Sequence, residues 1–152
     1  MPELLLPDTS SLIFLGKIGR LDMLRELYGE VTVTEAVVSE HILPLPAWVN
    51  VAQPKNRTYQ ELLEQSVDRG EASIIALAIE RQQCIVSLDD LKARKLAKSL
   101  GLRVTGTLGL LYKGKIAGLI PSVRDTLHQL KSVDFRISEE VEMEVLRLSD
   151  EL

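Results

Sequence analysis

Apolar and polar positions along the chain fall into two alternating rhythms. Short apolar runs, Leu4–Leu6 and "CIVSL" over 84–88, have the length of strands buried on both faces. "VTVT" over 31–34 and "LRVT" over 102–105 read as further strands. Between these runs apolar residues recur at helical spacing, as in Leu21, Leu24 and Leu27, or Ile74, Ile75, Ala78 and Ile79. Pro7 has no N–H to give a sheet and predicts the end of the first strand. Ser10 or Ser11 is expected to cap a helix running to Gly16, and Thr34 to cap one over "EAVVSEHIL". Residues 43–54 are broken by prolines, with a short strand at Trp48–Val51. Helices are expected at 58–67, after the separating Gly70 over "EASIIALAIERQ", over "DDLKARKLAKSLG", and at 107–117, 122–131 and 139–148. Strands alternating with helices specify βαβ units, hence an α/β fold on a mostly parallel sheet. No repeat, linker or low-complexity tract divides the sequence, so a single domain over 1–152 is expected. Its 138–152 segment reads as a C-terminal amphipathic helix whose stripe of Val141, Val145, Leu148 and Leu152 either docks on the core or serves a dimer or partner contact.

Composition narrows the class. With 45% hydrophobic and 26% charged residues, the 152-residue chain can bury a core. It has neither a signal-peptide pattern nor an apolar run of ~18–20 residues, so no membrane association is expected. The lone Cys84 excludes an internal disulfide and fits a cytoplasmic location. A net charge of −4 does not advertise nucleic-acid binding, which leaves the question to local patches. Lys92, Arg94, Lys95 and Lys98 share one expected helix. Lys92, Lys95 and Lys98 are candidates for contact with an RNA backbone, extended by Lys113 and Lys115; a solvated basic face is the ordinary alternative. Aromatic residues are only 4%, so stacking platforms for single strands are few, and Trp48 is expected to be a packing or interface residue and not a base stacker. "GLLYKGK" matches the start of a phosphate-binding loop, but Ile116 replaces the required hydroxyl residue and Leu110–Tyr112 would fill the cradle; a packed helix is expected instead.

The acids change the picture. Asp8 sits between two runs that both favour burial, and a buried carboxylate without a partner is costly. Asp89 and Asp90 follow "CIVSL" as Asp8 follows Leu4–Leu6, so two strand ends carry acids where parallel sheets bind ligands. Glu71 begins one helix and Glu40 lies late in another, where the helix dipole disfavours an anion. Taken singly, Asp8, Glu71, Asp89 and Asp90 are explained as anions at helix starts. Taken together, they form a cluster that is stable only when protonated or bound to a cation. All-oxygen ligands suit Mg²⁺ or Mn²⁺, ions that assist phosphodiester cleavage. His41 and His128 are the only histidines, and neither follows a strand.

Four segments in order resemble the PIN-domain ribonucleases. "PDTSSLI" is similar to their N-terminal motif, and "VVSEHI" to the segment carrying their mid-chain glutamate. "DRGEASIIALAIERQQCIVSLDDLKARKLAKSLGLRVTGTLGLL" resembles a VapC-like toxin subfamily with Gly-Glu-Ala, Leu-Asp-Asp and Thr-Gly-Thr-Leu-Gly motifs. The resemblance implies a three-layer α/β/α sandwich and metal-dependent endoribonuclease activity on RNA. It assigns catalysis and metal binding to Asp8, Glu40, Glu71 and Asp89, with Asp90 a neighbouring metal candidate and Ser10 and Ser87 in support. It also implies an antitoxin partner and a homodimer. Glu71 and Ser87 depart from the aspartate and threonine that many relatives carry. A non-catalytic interaction protein of the same fold, and a metal-dependent enzyme acting on another phosphate ester, remain the alternatives.

Overall fold

The computed structural model describes residues 3–41 and 44–152. Five short strands lie in one parallel sheet: β1 (Leu4–Pro7), β2 (Glu30–Thr34), β3 (Asn50–Ala52), β4 (Cys84–Ser87) and β5 (Arg103–Thr105), in the order β3-β2-β1-β4-β5. Nine helices connect and cover them among the described residues: α1 (Thr9–Lys17), α2 (Asp22–Leu27), α3 (Glu35–Glu40), α4 (Arg57–Leu63), α5 (Arg69–Arg81), α6 (Leu91–Ser99), α7 (Thr107–Ile116), α8 (Val123–Ser132) and α9 (Glu139–Leu148). The result is an α/β sandwich of the expected kind. None of these helices is long and apolar enough to cross a membrane.

The order of strands fixes where a site can form. From the central β1 the chain winds outward through β2 and β3, then returns to the other side of β1 to lay down β4 and β5. The winding reverses between β1 and β4, which pair from Leu4–Cys84 to Pro7–Ser87. Beyond the carboxyl ends of two such strands, the connections diverge and leave a crevice.

Every residue of β1 and β4 is buried, which requires cover on both faces of the sheet. Leu5, Leu6, Ile85 and Val86 form the centre of the core; burying each such side chain contributes ~1.5–3 kcal/mol. Helix α5 packs across β1, β2 and β4. Its stretch from Ala72 to Ala78 is buried throughout, because α3 and α4 pack on it as well as the sheet. The apolar stripe expected from Ile74, Ile75, Ala78 and Ile79 therefore understates the burial of this helix, and Ile79 itself is only half-buried.

Several boundaries differ from expectation. Asp8, rather than Ser10 or Ser11, caps α1, because the helix begins immediately after β1. The cap of α6 is Asp90, so that helix starts two residues after Asp89. Thr34 caps α3 as expected, accepting from the Val37 N–H, but α3 ends at Glu40; Ile42 and Leu43, included in the expected helix, lie outside the described residues. On α9 the apolar stripe turns away from the core: Leu146 and Ser149 are buried and Val145 half-buried, while Val141, Leu148 and Leu152 are exposed. A short terminal helix packed mainly on α7 and α8 needs one narrow line of contact, and apolarity alone misplaced its phase. Trp48 packs as expected, half-buried with the Arg25 guanidinium 5.6 Å from its ring.

Candidate active site

Asp8 occupies the crevice at the β1–β4 reversal. The strand carries it there and the start of α1 fixes its backbone, so a carboxylate ends up almost fully enclosed, at 5% exposure. One oxygen, Oδ1, accepts the Ser11 N–H at 2.9 Å and so caps α1. The other, Oδ2, accepts the Asp89 N–H at 3.0 Å and ties β1 to the end of β4. Burial, and then the charge of Asp89, push the Asp8 carboxyl up to about 6 against the pull of these hydrogen bonds. Below Asp8, the Ser11 hydroxyl lies 2.7 Å from that of Ser87 and 3.2 Å from that of Thr107, a buried hydroxyl cluster under the crevice.

Asp89 is held from the opposite side. Its Oδ1 accepts the Thr107 N–H at 2.8 Å; its Oδ2 accepts the Thr107 hydroxyl at 2.6 Å and the Ser10 hydroxyl at 3.1 Å. Ser10 therefore supports Asp89, and it is the Ser11 N–H that bonds Asp8. Gly106, the residue before Thr107, makes this clamp possible: a Cβ there would lie 2.9 Å from Asp89 Oδ1 and 2.7 Å from Arg94 Nη1. Arg94 is turned inward, donating to the Leu88 and Thr105 carbonyls at 2.8 and 2.9 Å, so it braces the β4–β5 edge and does not join the basic face.

Glu40 and Glu71 approach from α3 and α5. The Thr9 hydroxyl donates to Glu40 Oε2 at 3.0 Å, and Glu40 lies over the first turn of α5 where Gly70 leaves room; a Cβ on Gly70 would fall 2.5 Å from Glu40 Oε1. Glu71 belongs to a capping box with Asp68, whose carboxylate accepts the Glu71 N–H at 2.8 Å. Burial, then Asp68, and more weakly Asp90 and Asp8, push the Glu71 carboxyl up to about 7. Asp8, Glu40, Asp68 and Glu71 line one cavity of about 350 Å³ with Ser10 and Phe14. Asp89 faces a neighbouring cavity across Ser10, and Asp90 points its carboxylate at the Ala93 N–H as the cap of α6.

The structure thus brings Asp8, Glu40 and Glu71 to one cavity, joins Asp8 to the Asp89 backbone, and leaves Asp90 out of its lining as the cap of α6. Among the described residues no three His, Cys, Asp or Glu side chains converge closely enough to hold an ion between them. The donor set still has the chemistry of a hard-cation site: among the described residues carboxylates and hydroxyls line the cavity and no imidazole or thiolate does, and burial and then neighbouring carboxylates make two of the acids resist ionisation. Lys92, Lys95 and Lys98 are exposed on α6. Lys113 and Lys115 do not extend that face. Lys113 bonds the Tyr28 hydroxyl at 2.9 Å, and Lys115 pairs with Glu151 at 3.0 Å.

Sequence reasoning missed four participants. Asp68 stands three residues before Glu71, a readable capping-box signature. Thr107 and Gly106 lie within the Thr-Gly-Thr motif, but only folding shows that they grip Asp89. Thr9 carried no signal beyond its place beside Asp8.

A family model described as a PIN domain matches residues 5–151. No curated protein matches the chain.

Proposed function

We propose that this chain, which belongs to the PIN-domain family, is a metal-dependent endoribonuclease that hydrolyses RNA phosphodiester bonds, and that it acts in the cytoplasm as a VapC-like toxin, a homodimer restrained by an antitoxin protein. The observation that carries this reading is the buried Asp8 carboxylate at the sheet's reversal point, locked to the Asp89 backbone and sharing a cavity with Glu40 and Glu71. A carboxylate raised to about 6 by burial and a like charge gains from a neighbouring cation. Asp8, Glu40, Glu71 and Asp89, with Asp90 beside them, are the residues that would hold Mg²⁺ or Mn²⁺. Such an ion supplies charge neutralisation at the phosphate oxygens and a more acidic water.

The chain's own groups do the positioning. The Ser11 and Asp89 N–H groups fix both oxygens of Asp8, leaving their remaining lone pairs directed by the backbone. Thr107 and Ser10 orient Asp89, and Thr9 holds Glu40 across Gly70. Exposed Lys92, Lys95 and Lys98 on α6 offer charge to flanking phosphates of an RNA strand.

A second reading has its own support. Asp8, Asp90 and Glu71 each serve a helix start, and Asp89 bonds the first N–H of α7, so a non-catalytic interaction protein of this fold would keep the same acids for structure. A related enzyme acting on another phosphate ester would use the same cavity. Purified protein incubated in parallel with a mixed RNA pool and with non-RNA phosphate esters separates the three. Cleavage with Mg²⁺ or Mn²⁺ that EDTA abolishes supports the ribonuclease. Hydrolysis of only non-RNA phosphate esters supports the third reading, and no hydrolysis of either supports the second.

A further inference from the structure

Beside the acid cavity lies a larger one of about 790 Å³, within the ~300–1,000 Å³ range of small-molecule sites. Its making can be followed from the sequence. Helix α8 ends at Ser132 with Val133 as its cap; Asp134, with a φ of 71°, then reverses the chain, and the Phe135 N–H bonds back to the Leu130 carbonyl at 3.0 Å. This return throws Phe135 against Phe14 of α1, ring centroids 5.0 Å apart and planes at 81°. The chain has two phenylalanines, and both line this one cavity. Leu91, Val104, Leu108, Ile137 and Val141 complete its apolar walls, and the exposed Arg136 lines it too. Neither ring is fully buried, so both keep surface that the core does not use.

Ser10 and Phe14 line this cavity and the acid cavity alike, and Asp89 sits in its wall. A strand whose phosphate lies against the acids therefore has one adjacent nucleotide within reach of the phenylalanines. We propose that the cavity is a nucleobase subsite, which takes one unpaired base of an RNA substrate next to the cleaved bond; this rests on the ribonuclease reading of the acid site. Apolar and aromatic walls recognise the flat face of a base by stacking and desolvation, while the guanidinium of Arg136 meets the charge of the backbone that follows it. The paired phenylalanines make the subsite favour a base over an aliphatic group of similar size.

The test uses the full-length protein in EDTA, so that binding is read without cleavage. Fluorescence anisotropy compares short single-stranded RNAs with oligomers of equal length and charge that carry an abasic site at each position in turn. One abasic position is expected to weaken binding roughly ten-fold. Val141→Trp, at an exposed position in the cavity wall, is expected to erase that difference by filling the space, and Phe135→Leu to erase it by removing a ring while keeping apolar volume. Thermal melts identify which variant retains the fold, and one folded variant suffices. Equal binding of base-bearing and abasic oligomers overturns the proposal. So does a folded variant that keeps the base dependence, which would leave the apolar walls to a protein segment. Base-dependent binding without cleavage in Mg²⁺ or Mn²⁺ would overturn the ribonuclease reading and leave the subsite standing as an RNA-binding feature. Metal-dependent cleavage with no base dependence would do the reverse.

Discussion

Asp8 carries two loads, and substituting it separates them. In Asp8→Asn the amide keeps one acceptor oxygen, so either the Ser11 or the Asp89 N–H loses its partner. An unpaired buried donor costs about 1–3 kcal/mol. The same change removes a carboxylate that burial and Asp89 already hold in an unfavourable charged state, which offsets much of that cost. Asp8→Asn is therefore expected to melt within a few degrees of the parent while RNA cleavage with Mg²⁺ falls at least ~100-fold, because a lost ligand costs affinity and geometry together. Turnover at the parental rate in the purified variant would remove Asp8 from the mechanism. The exceptional position of Asp8 was legible, since an acid between two apolar runs has few explanations. Its partners were not: Ser10 beside it bonds Asp89 instead, and which hydroxyl faces which acid depends on the turn of α1.

At the scale of elements, α6 poses the open question. One face of the helix packs through Ala93 and Ala97, leaving Lys92, Lys95 and Lys98 in solvent. If these lysines contact phosphates, each Lys→Ala should weaken binding across unrelated RNA sequences, since such contacts carry no base information. Each should also flatten the log–log dependence of affinity on salt by roughly 0.7 on a single strand. Titrations at several salt concentrations check this, and an unaltered slope would mark the lysines as ordinary solvated surface. Periodicity located α6 and the five other helices of at least its length well, because apolar spacing and flanking glycines act locally. It failed where a contact came from afar. Arg94 looked like part of the basic face, yet the carbonyls of Leu88 and Thr105 draw it inward, and Leu146 rather than the predicted stripe docks α9.

For the whole molecule the acids couple stability to pH and to cations. Asp8, and likewise Glu71, binds its proton more tightly folded than unfolded, so its contribution to stability is full below the ordinary carboxylate range and is lost as pH rises. For Asp8, moving from 3.8 to about 6, the loss approaches about 3 kcal/mol by neutral pH. Glu151 acts outside this window: burial opposes its charge, but the Arg124 and Val123 N–H groups, Lys115 and Ser122 hold it at about 2, so its support fades only in stronger acid. Mg²⁺ is therefore expected to raise the melting temperature more at pH 8 than at pH 5, relative to EDTA. An equal rise at both values, or none, would count against a cation among these acids. The parallel α/β class was readable from alternation, whereas the strand order that makes the crevice was not, because β1 meets β4 only through the fold. That meeting has a consequence in time. Asp89 lies 81 residues from Asp8, and Thr107 lies 96 from Ser11. Closing loops of that span belongs to the slow part of folding. During synthesis the first three strands emerge with no partner for Asp8, and the acids acquire their fixed geometry only after Thr107 has been made. A chain halted before residue 107 thus carries Asp8 and Asp89 without the Thr107 clamp that fixes Asp89.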